Sequence, residues 1–406
     1  MTNVNFGQIV EKVIGGGWGE EHPSSGLTPV RVLRGADFPA AQHKNIGKLP
    51  CRYEKEKVVD SRTLRAGDIV LEISGGTKDR PTGRTVLISA DMVSKSNIDL
   101  IPASFCRLIR PDHNFVDSRW LYYHLQNWWN QGGSWEYQNQ STGISNFQYK
   151  LFSETYTFRL PSFHTQESVA NVLAPLDDKI AANTQAIEVG RELLRSRWNR
   201  LSKDASTVFD LQDIVDINPK LPTVKEPTAP YLDMKNLPER GLLVTEWGER
   251  DPKGGARFQN GDTLLARITP CFENGKAAWV DFLEEDEICY GSTEYIVLRA
   301  RHEIPPVVPY LVGTSDRFRE FASQRRTGTS GRQRVQAKEL ADYSVPLPDP
   351  ERLKEFEEFS DALLRRLGAA RNESRTLAAA RDELLPLLMS GKITVRDAEK
   401  RVEKEV

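Results

Sequence analysis

The chain has 406 residues, enough for two or three domains with sizeable cores. Its 39% hydrophobic and 28% charged residues exclude a disordered or fibrous chain, and a formal net charge of −2 excludes a globally basic one. No apolar run approaches the length of about eighteen residues that a membrane-spanning helix needs, so no membrane partner is predicted.

The opening stretch, MTNVNFGQIVEKV, lacks a positive region followed by an apolar core, so no signal peptide is expected and the chain is placed in the cytoplasm. Cys51, Cys106, Cys271 and Cys289 have no CxxC or CxxH spacing and read as thiols in a reducing compartment, not as a zinc site or a disulfide framework. VIGGGWGEE is glycine-rich but lacks the preceding strand and following helix of a nucleotide-binding loop. LRAGDIVLEI, from Leu64, is a short apolar run opened by Gly-Asp, the pattern of a turn into a buried strand. Asp68 and Glu72 fall on one face of that strand; Ser74 takes the alternating place where a nuclease would carry a lysine. They read as a turn aspartate and a strand glutamate, and no metal site is expected.

SGGTKDRPTGR follows, a basic loop with Lys78, Arg80 and Arg84; RVLRG, with Arg31 and Arg34, precedes it. DSRWLYYHLQNWWNQ, Asp117–Gln131, predicts a helix capped by Asp117, with an aromatic stripe at helical spacing that belongs to the core. The polar turn STGISNFQYK supplies Thr142 and Ser145.

After LPSF, a long helix begins. Val169, Leu173, Leu176, Ile180, Asn183, Ile187, Gly190 and Leu194 are spaced alternately by four and three, the seam of a coiled coil, and Leu201 extends it. The same phrase returns after VPLPDP: Phe356, Ser360, Leu363, Leu367, Ala370, Ser374 and Leu377 keep the rule, Arg381 is its weak member, and Leu384 and Leu388 resume it. A helix of about 40 residues is ~60 Å long and cannot bury such a seam alone in water; two in one chain bury each other. An antiparallel pairing then sets the domain that precedes each helix at opposite ends. Asn183 and Ser374 interrupt the seams, either fixing register or, for Asn183, facing solvent at an irregularity.

The rest of the chain repeats in the same order. GQIVEKV at Gly7–Val13 is echoed by LQDIVDI at Leu211–Ile217, LTPVRVLRGADF by TAPYLDMKNL, and LRAGDIVLEI by FQNGDTLLARI from Phe258. STGISNFQYKLFSETYTFRLP corresponds to RTGTSGRQRVQAKELADYSVPLP, and GRELLRS to ARDELLPL. The period is half the chain, so the duplication is of whole domain–helix units. In the second, QRRTGTSGRQRVQAK gathers Arg325, Arg326, Thr327, Ser330, Arg332, Arg334 and Lys338 around a Thr-Gly-Thr-Ser-Gly turn. Guanidinium groups, hydroxyls and open backbone N–H groups in one loop suit phosphate contacts, and arginine also reads guanine edges. The first unit keeps the hydroxyls and amides without the arginines, as two related domains reading different sequences would.

Catalytic chemistry is missing. There is no GxxxxGK[ST], HExxH, GxSxG or Asn/Asp-Pro-Pro-Tyr, and the six histidines lie apart. No catalytic residue and no bound cofactor is expected.

Domain, long helix, domain, long helix resembles the specificity subunit of type I restriction–modification systems, most closely in LP…Q…VANVLAPLDDKIAANTQ, in the ending RDELLPLLMSGKITV, in the GDIVLEISGG and GDTLLARITP strands and in the TGxS turns. The resemblance implies an α+β fold: a target recognition domain at 1–160, a spacer helix at 161–203, a second recognition domain at 204–348, a second spacer helix at 349–392 and a tail at 393–406, the helices pairing as an antiparallel coiled coil. It implies that each domain reads half of a bipartite, asymmetric site on double-stranded DNA. It also implies docking on two modification subunits, with S-adenosylmethionine, and two restriction subunits, with ATP and Mg, in anti-phage defence. The chain departs from the family at the helix starts, where HTQESVANV keeps only Gln166 of a Glu-Gln pair and PDPERLKEFEEF has no glutamine. Two rivals predict differently: a stand-alone DNA methyltransferase or nuclease, active alone, and a coiled-coil scaffold without salt-sensitive DNA affinity.

Overall fold

A computed structural model describes residues 2–77, 79–141, 144–329 and 332–405. By contacts the chain forms two compact units, Met1–Ala182 with Thr376–Val406, and Asn183–Arg375. Each takes in one half of each long helix.

In the first unit the Gly-Asp turn leads into its strand as expected. Gly67 has a positive φ of 90°, the left-handed region that glycine enters without steric cost. The Asp68 carboxylate closes the turn by accepting from the Arg65 backbone N–H at 2.7 Å. Ile69–Glu72 then runs between Cys106–Pro111 and Thr85–Leu87, all antiparallel, with Val10–Gly15 on the outer side of Cys106–Pro111. All four residues of Ile69–Glu72 are buried, the sign of a strand covered on both faces. A second sheet pairs Leu27–Leu33 antiparallel to Cys51–Lys55 and parallel to Asp99–Pro102. Gln138–Ser141 and Ile144–Phe147 form a hairpin that continues onto Ser74–Gly76, and Thr2–Asn5 pairs with Thr157–Leu160.

The second unit repeats this plan with one strand more in its second sheet, Ala256–Phe258 against Cys289–Gly291. Val215–Ile217, Tyr295–Ala300, Thr263–Ala266 and Ala277–Trp279 lie in the same order, again antiparallel. Ala229–Leu232 pairs antiparallel with Gly248–Arg250 and parallel with Cys289–Gly291. Thr207–Asp210 pairs with Ser344–Leu347, and the short hairpin of Arg326–Thr327 with Arg334–Val335 is bridged to Ile268. The Gly-Asp turn recurs: Gly261 has φ 86°, and Asp262 accepts from the Gln259 N–H at 2.9 Å.

The expected capped helix is Ser118–Asn130, where Asp117 accepts from the N–H groups of Arg119 and Trp120 at 2.8 and 3.2 Å. Trp120, Leu121, Tyr123 and Leu125 are buried, so the aromatic stripe is core. Gln166 completes the cap. Its amide oxygen accepts from the Asp117 N–H at 2.9 Å, while its nitrogen donates to the carbonyls of Pro161 and Phe115.

The long helices are Phe163–Lys203 and Pro350–Met389. In the first unit Val169, Leu173, Leu176 and Ile180 of the first helix share a core with Leu377, Leu384 and Leu388 of the second. In the second unit Leu194 and Trp198 of the first share a core with Phe356, Leu364 and Leu367 of the second, with Ile187, Leu201 and Leu363 packed against it. The opening half of each helix thus meets the closing half of the other, an antiparallel pairing. Each fully buried leucine contributes roughly 1.5–3 kcal/mol, so the seam is a main source of order in both units. Asn183 faces the partner helix: its amide donates to the Ala370 carbonyl at 3.2 Å and to Glu373 at 2.7 Å. Val395–Glu405 forms a further helix, with Ala398 buried in the first unit.

Candidate nucleic-acid interface

The two Gly-Asp aspartates are each paired with an arginine. Asp68 takes both edges of Arg110, at 2.8 and 2.8 Å, and Asp262 takes both edges of Arg299, at 2.7 and 2.7 Å. In each case the arginine stands on the strand next to the aspartate's own, just beyond the residue paired with the strand's first position. A buried charge needs such a fully hydrogen-bonded partner, and this one locks the turn to the sheet. Glu72 is likewise occupied, by Arg84 at 2.6 and 2.9 Å and by Arg80 at 3.2 Å. Among the described residues no group of three or more His, Cys, Asp or Glu side chains is placed to hold a metal ion.

This pairing changes how the basic loops read. Arg84 also donates to the Gly35 carbonyl and Arg80 to that of Gly75, so both point inward onto the sheet end. Ser145 is buried in the hairpin beneath them. Lys78, Thr142 and Ser330 lie outside the described residues.

In the second unit, Arg334 is held by Glu294 at 2.7–3.0 Å, and Arg326 by Glu273 and the Ser323 carbonyl. Thr327 accepts from Gln336 at 3.0 Å. Arg325 lies over the Phe321 ring at 3.5 Å and reaches Asp342 at 3.6 Å. Arg332 is exposed at the hairpin tip. The hairpin therefore presents one open guanidinium, Arg332, and one tethered at the surface, Arg325, on a base stiffened by ion pairs. Preset cations of this kind suit phosphate contact because little side-chain entropy remains to be lost.

Sequence pattern did not reveal the carboxylates that hold these arginines. Glu273 and Glu294 lie 53 and 40 residues from Arg326 and Arg334, whereas Glu72 is only 12 residues from Arg84 and 8 from Arg80. The Gly-Asp repeat was the available signal for the Asp68 and Asp262 pairs. Phe105, a large apolar side chain 65% exposed beside the hairpin of the first unit, was also missed.

No protein-family model matches the chain. It is 28% identical to the type I restriction enzyme EcoEI specificity subunit of Escherichia coli over 183 residues, covering 41% of this chain and 30% of that protein. It is 30% identical to the EcoAI specificity subunit of the same organism over 145 residues, covering 34% of this chain and 24% of that protein. The chain thus matches less than a third of the length of these curated relatives. Among solved structures it superposes on the S subunit of a type I restriction–modification system from M. genitalium with a TM-score of 0.54 and 14% identity, over 95% of both chains.

The chain resembles type I specificity subunits in sequence and in fold. The specificity-subunit fold is the duplicated plan described above: mixed helix and sheet with helices of 41 and 40 residues. No helix among the described residues is long and apolar enough to cross a membrane.

Proposed function

We propose that this chain is the DNA-recognition subunit of a type I restriction–modification complex. Each unit reads one half of a bipartite, asymmetric target in double-stranded DNA. The paired helices set the unread gap and dock two modification subunits. Two restriction subunits complete the assembly, which works in the cytoplasm against foreign DNA. The chain carries no catalysis of its own; S-adenosylmethionine, ATP and Mg belong to the partners.

The observation that supports this reading best is the duplication itself. One sheet plan, with the same aspartate–arginine lock, occurs twice on two antiparallel helices. A reader of two half-sites about one helical turn, ~34 Å, apart needs two related heads on a rigid connector. The second unit's hairpin carries Arg325 and Arg332 at its surface, and the first unit's hairpin differs, as expected for unlike half-sites.

The test is co-purification with the neighbouring methyltransferase subunit, followed by sequencing of methylated adenines in DNA exposed to the pair. A split motif, two defined blocks around a fixed undefined gap, is the expected result. A pair that forms yet methylates a continuous motif or nothing leaves the duplication to a scaffold role. Methylation by the purified chain alone revives the stand-alone enzyme.

A further inference from the structure

The larger cleft of the second unit, about 1160 Å³, sets six acids, Asp204, Asp213 and Glu357 among them, against Arg299, Arg301, Arg352 and Lys354, so it gathers no excess of cations. A smaller pocket in the same unit is different. It holds about 60 Å³, and its lining sets Arg191, Arg195, Arg240, Lys276 and Arg319 against one acid, Asp316.

Three of these five cations donate to carbonyls, which do not neutralise charge, and the acids at hand, Asp316 and Glu192, are fewer than the cations. Arg191 donates to the Arg240 carbonyl, Lys276 to the Met234 carbonyl at 2.9 Å, and Arg319 to the Glu273 carbonyl at 2.5 Å. Glu192, more than half exposed, pairs with Arg191 at 2.6 Å and stands 3.9 Å from Arg195. The Nε atoms of Arg191 and Arg319 are buried with no hydrogen-bond acceptor. Gly275 makes the crowding feasible: a Cβ there would stand 3.1 Å from Arg240 Cγ and 3.2 Å from Arg319 Nη1. Arg240 itself sits in the left-handed region at φ 54°. Burial, followed by the charge of Arg240, holds Arg319 below its usual pKa, with Asp316 opposing and Arg195 adding to the effect. Buried donors without acceptors and like charges in excess of their counter-ions are both unfavourable, and one oxyanion relieves both. The volume is enough for a single tetrahedral oxyanion.

We propose that this pocket is a built site for one phosphate group, presented either by a DNA backbone or as free phosphate. Its position favours the backbone, because Glu273 ties Arg319 through its carbonyl and Arg326 of the hairpin through its carboxylate. In the backbone form the inference rests on the DNA-recognition reading above; in the free form it does not.

The experiment is calorimetric titration of the full chain with sodium phosphate, against sodium chloride at equal ionic strength, for the wild type, Arg195→Gln, Arg319→Gln and the surface control Arg365→Gln. Saturable phosphate binding by the wild type and the control, weakened about tenfold or more in the two pocket variants, is the expected result. Displacement of the phosphate by duplex DNA identifies the backbone as its source; binding unchanged by DNA identifies free phosphate. If Arg319→Gln does not fold, Arg195→Gln decides. A wild type with no saturable phosphate binding, together with an Arg195→Gln variant whose DNA affinity has an unchanged salt dependence, overturns the proposal. A chain that binds phosphate but no DNA removes the recognition reading and leaves the pocket.

Discussion

Asp177 on the first long helix and Arg381 on the second meet at 2.7 Å inside the first unit. The hydroxyl of Tyr123 donates to the other carboxylate oxygen at 2.8 Å. Aligning the two seams places Arg381 opposite Leu194, and Asp177, one residue after Leu176, opposite Leu364, one after Leu363. Leu194 and Leu364 are buried in the second unit's core. The duplicated helix pair has thus solved one position twice, with an ion pair and with two leucines.

Replacing a buried ion pair by apolar groups of similar volume is often neutral or stabilising, whereas removing one partner leaves an uncompensated charge. Asp177→Leu is therefore expected to cost at most about 3 kcal/mol, since Arg381 keeps Asp382 at 2.8 Å and a quarter of its side chain reaches solvent. The double variant Asp177→Leu/Arg381→Leu should recover most of that loss. Urea unfolding of the two variants checks this; equal destabilisation would show that the pair contributes more than its charges.

Stability of the first unit should fall with acidity above the range where carboxylates titrate. His124 stacks on Trp120 at 5.1 Å and lies against Phe158 at 4.3 Å, and burial pushes its pKa down from 6.5 to about 4. His43 is lowered too, first by burial, with Asp177 opposing and Arg381 reinforcing. A histidine whose folded pKa lies below its unfolded value contributes stability that is complete above about pH 6.5 and is lost as pH falls toward 4. His124 accounts for at most about 3 kcal/mol of this. Melting temperature measured from pH 7.5 to 5 should decline, and His124→Gln should flatten the slope. An identical slope in the variant would remove His124 as the cause.

The elements written in local pattern were legible in the sequence: the heptad seams, the Gly-Asp turns, the Asp117 cap and the duplication. The first three are set by residues a few positions apart, where helical or strand periodicity acts directly, and the duplication by the same phrases recurring in the same order. Long-range partners were not legible. Arg84, Arg326 and Arg334 stand in loops that read as DNA-facing, yet each is claimed by a glutamate, 12, 53 and 40 residues away in the chain, that the fold brings to it. Gln166 belongs to a helix start that resembles the family's, but it is buried and caps the helix at Ser118–Asn130. Sequence places a polar group on a face; whether a carboxylate already waits there depends on topology.

Gly190 is an example of a seam position where size decides. A Cβ at Gly190 would lie 2.7 Å from Leu367 Cδ1, so the helices approach closely there because glycine leaves room. Alanine gains up to about 1 kcal/mol of helix propensity over glycine, but overpacking a core costs about 1–3 kcal/mol. Gly190→Ala is expected to be mildly destabilising and Gly190→Leu strongly so. Circular dichroism melts of both distinguish this from a solvent-facing glycine, at which alanine would raise the melting temperature.

The arginines should separate into two groups by what their removal changes. Arg332, exposed at the hairpin tip, has no carboxylate partner among the described residues, so Arg332→Ala should leave the melting temperature unchanged. On the DNA-recognition reading it removes one phosphate contact and lowers the slope of log affinity against log salt by about 0.9. Arg84→Ala strips the buried Glu72 of its two-edged partner at 2.6 and 2.9 Å, and Arg80 at 3.2 Å compensates only in part. An unpaired buried carboxylate of this kind costs about 3 kcal/mol or more, so Arg84→Ala should lower the melting temperature of the first unit by several degrees. Filter binding across a potassium chloride series, alongside thermal melts, measures both axes for both variants. A stable Arg84→Ala with a reduced salt slope would return that loop to the DNA face, and an Arg332→Ala with an unchanged slope would take the hairpin tip away from it.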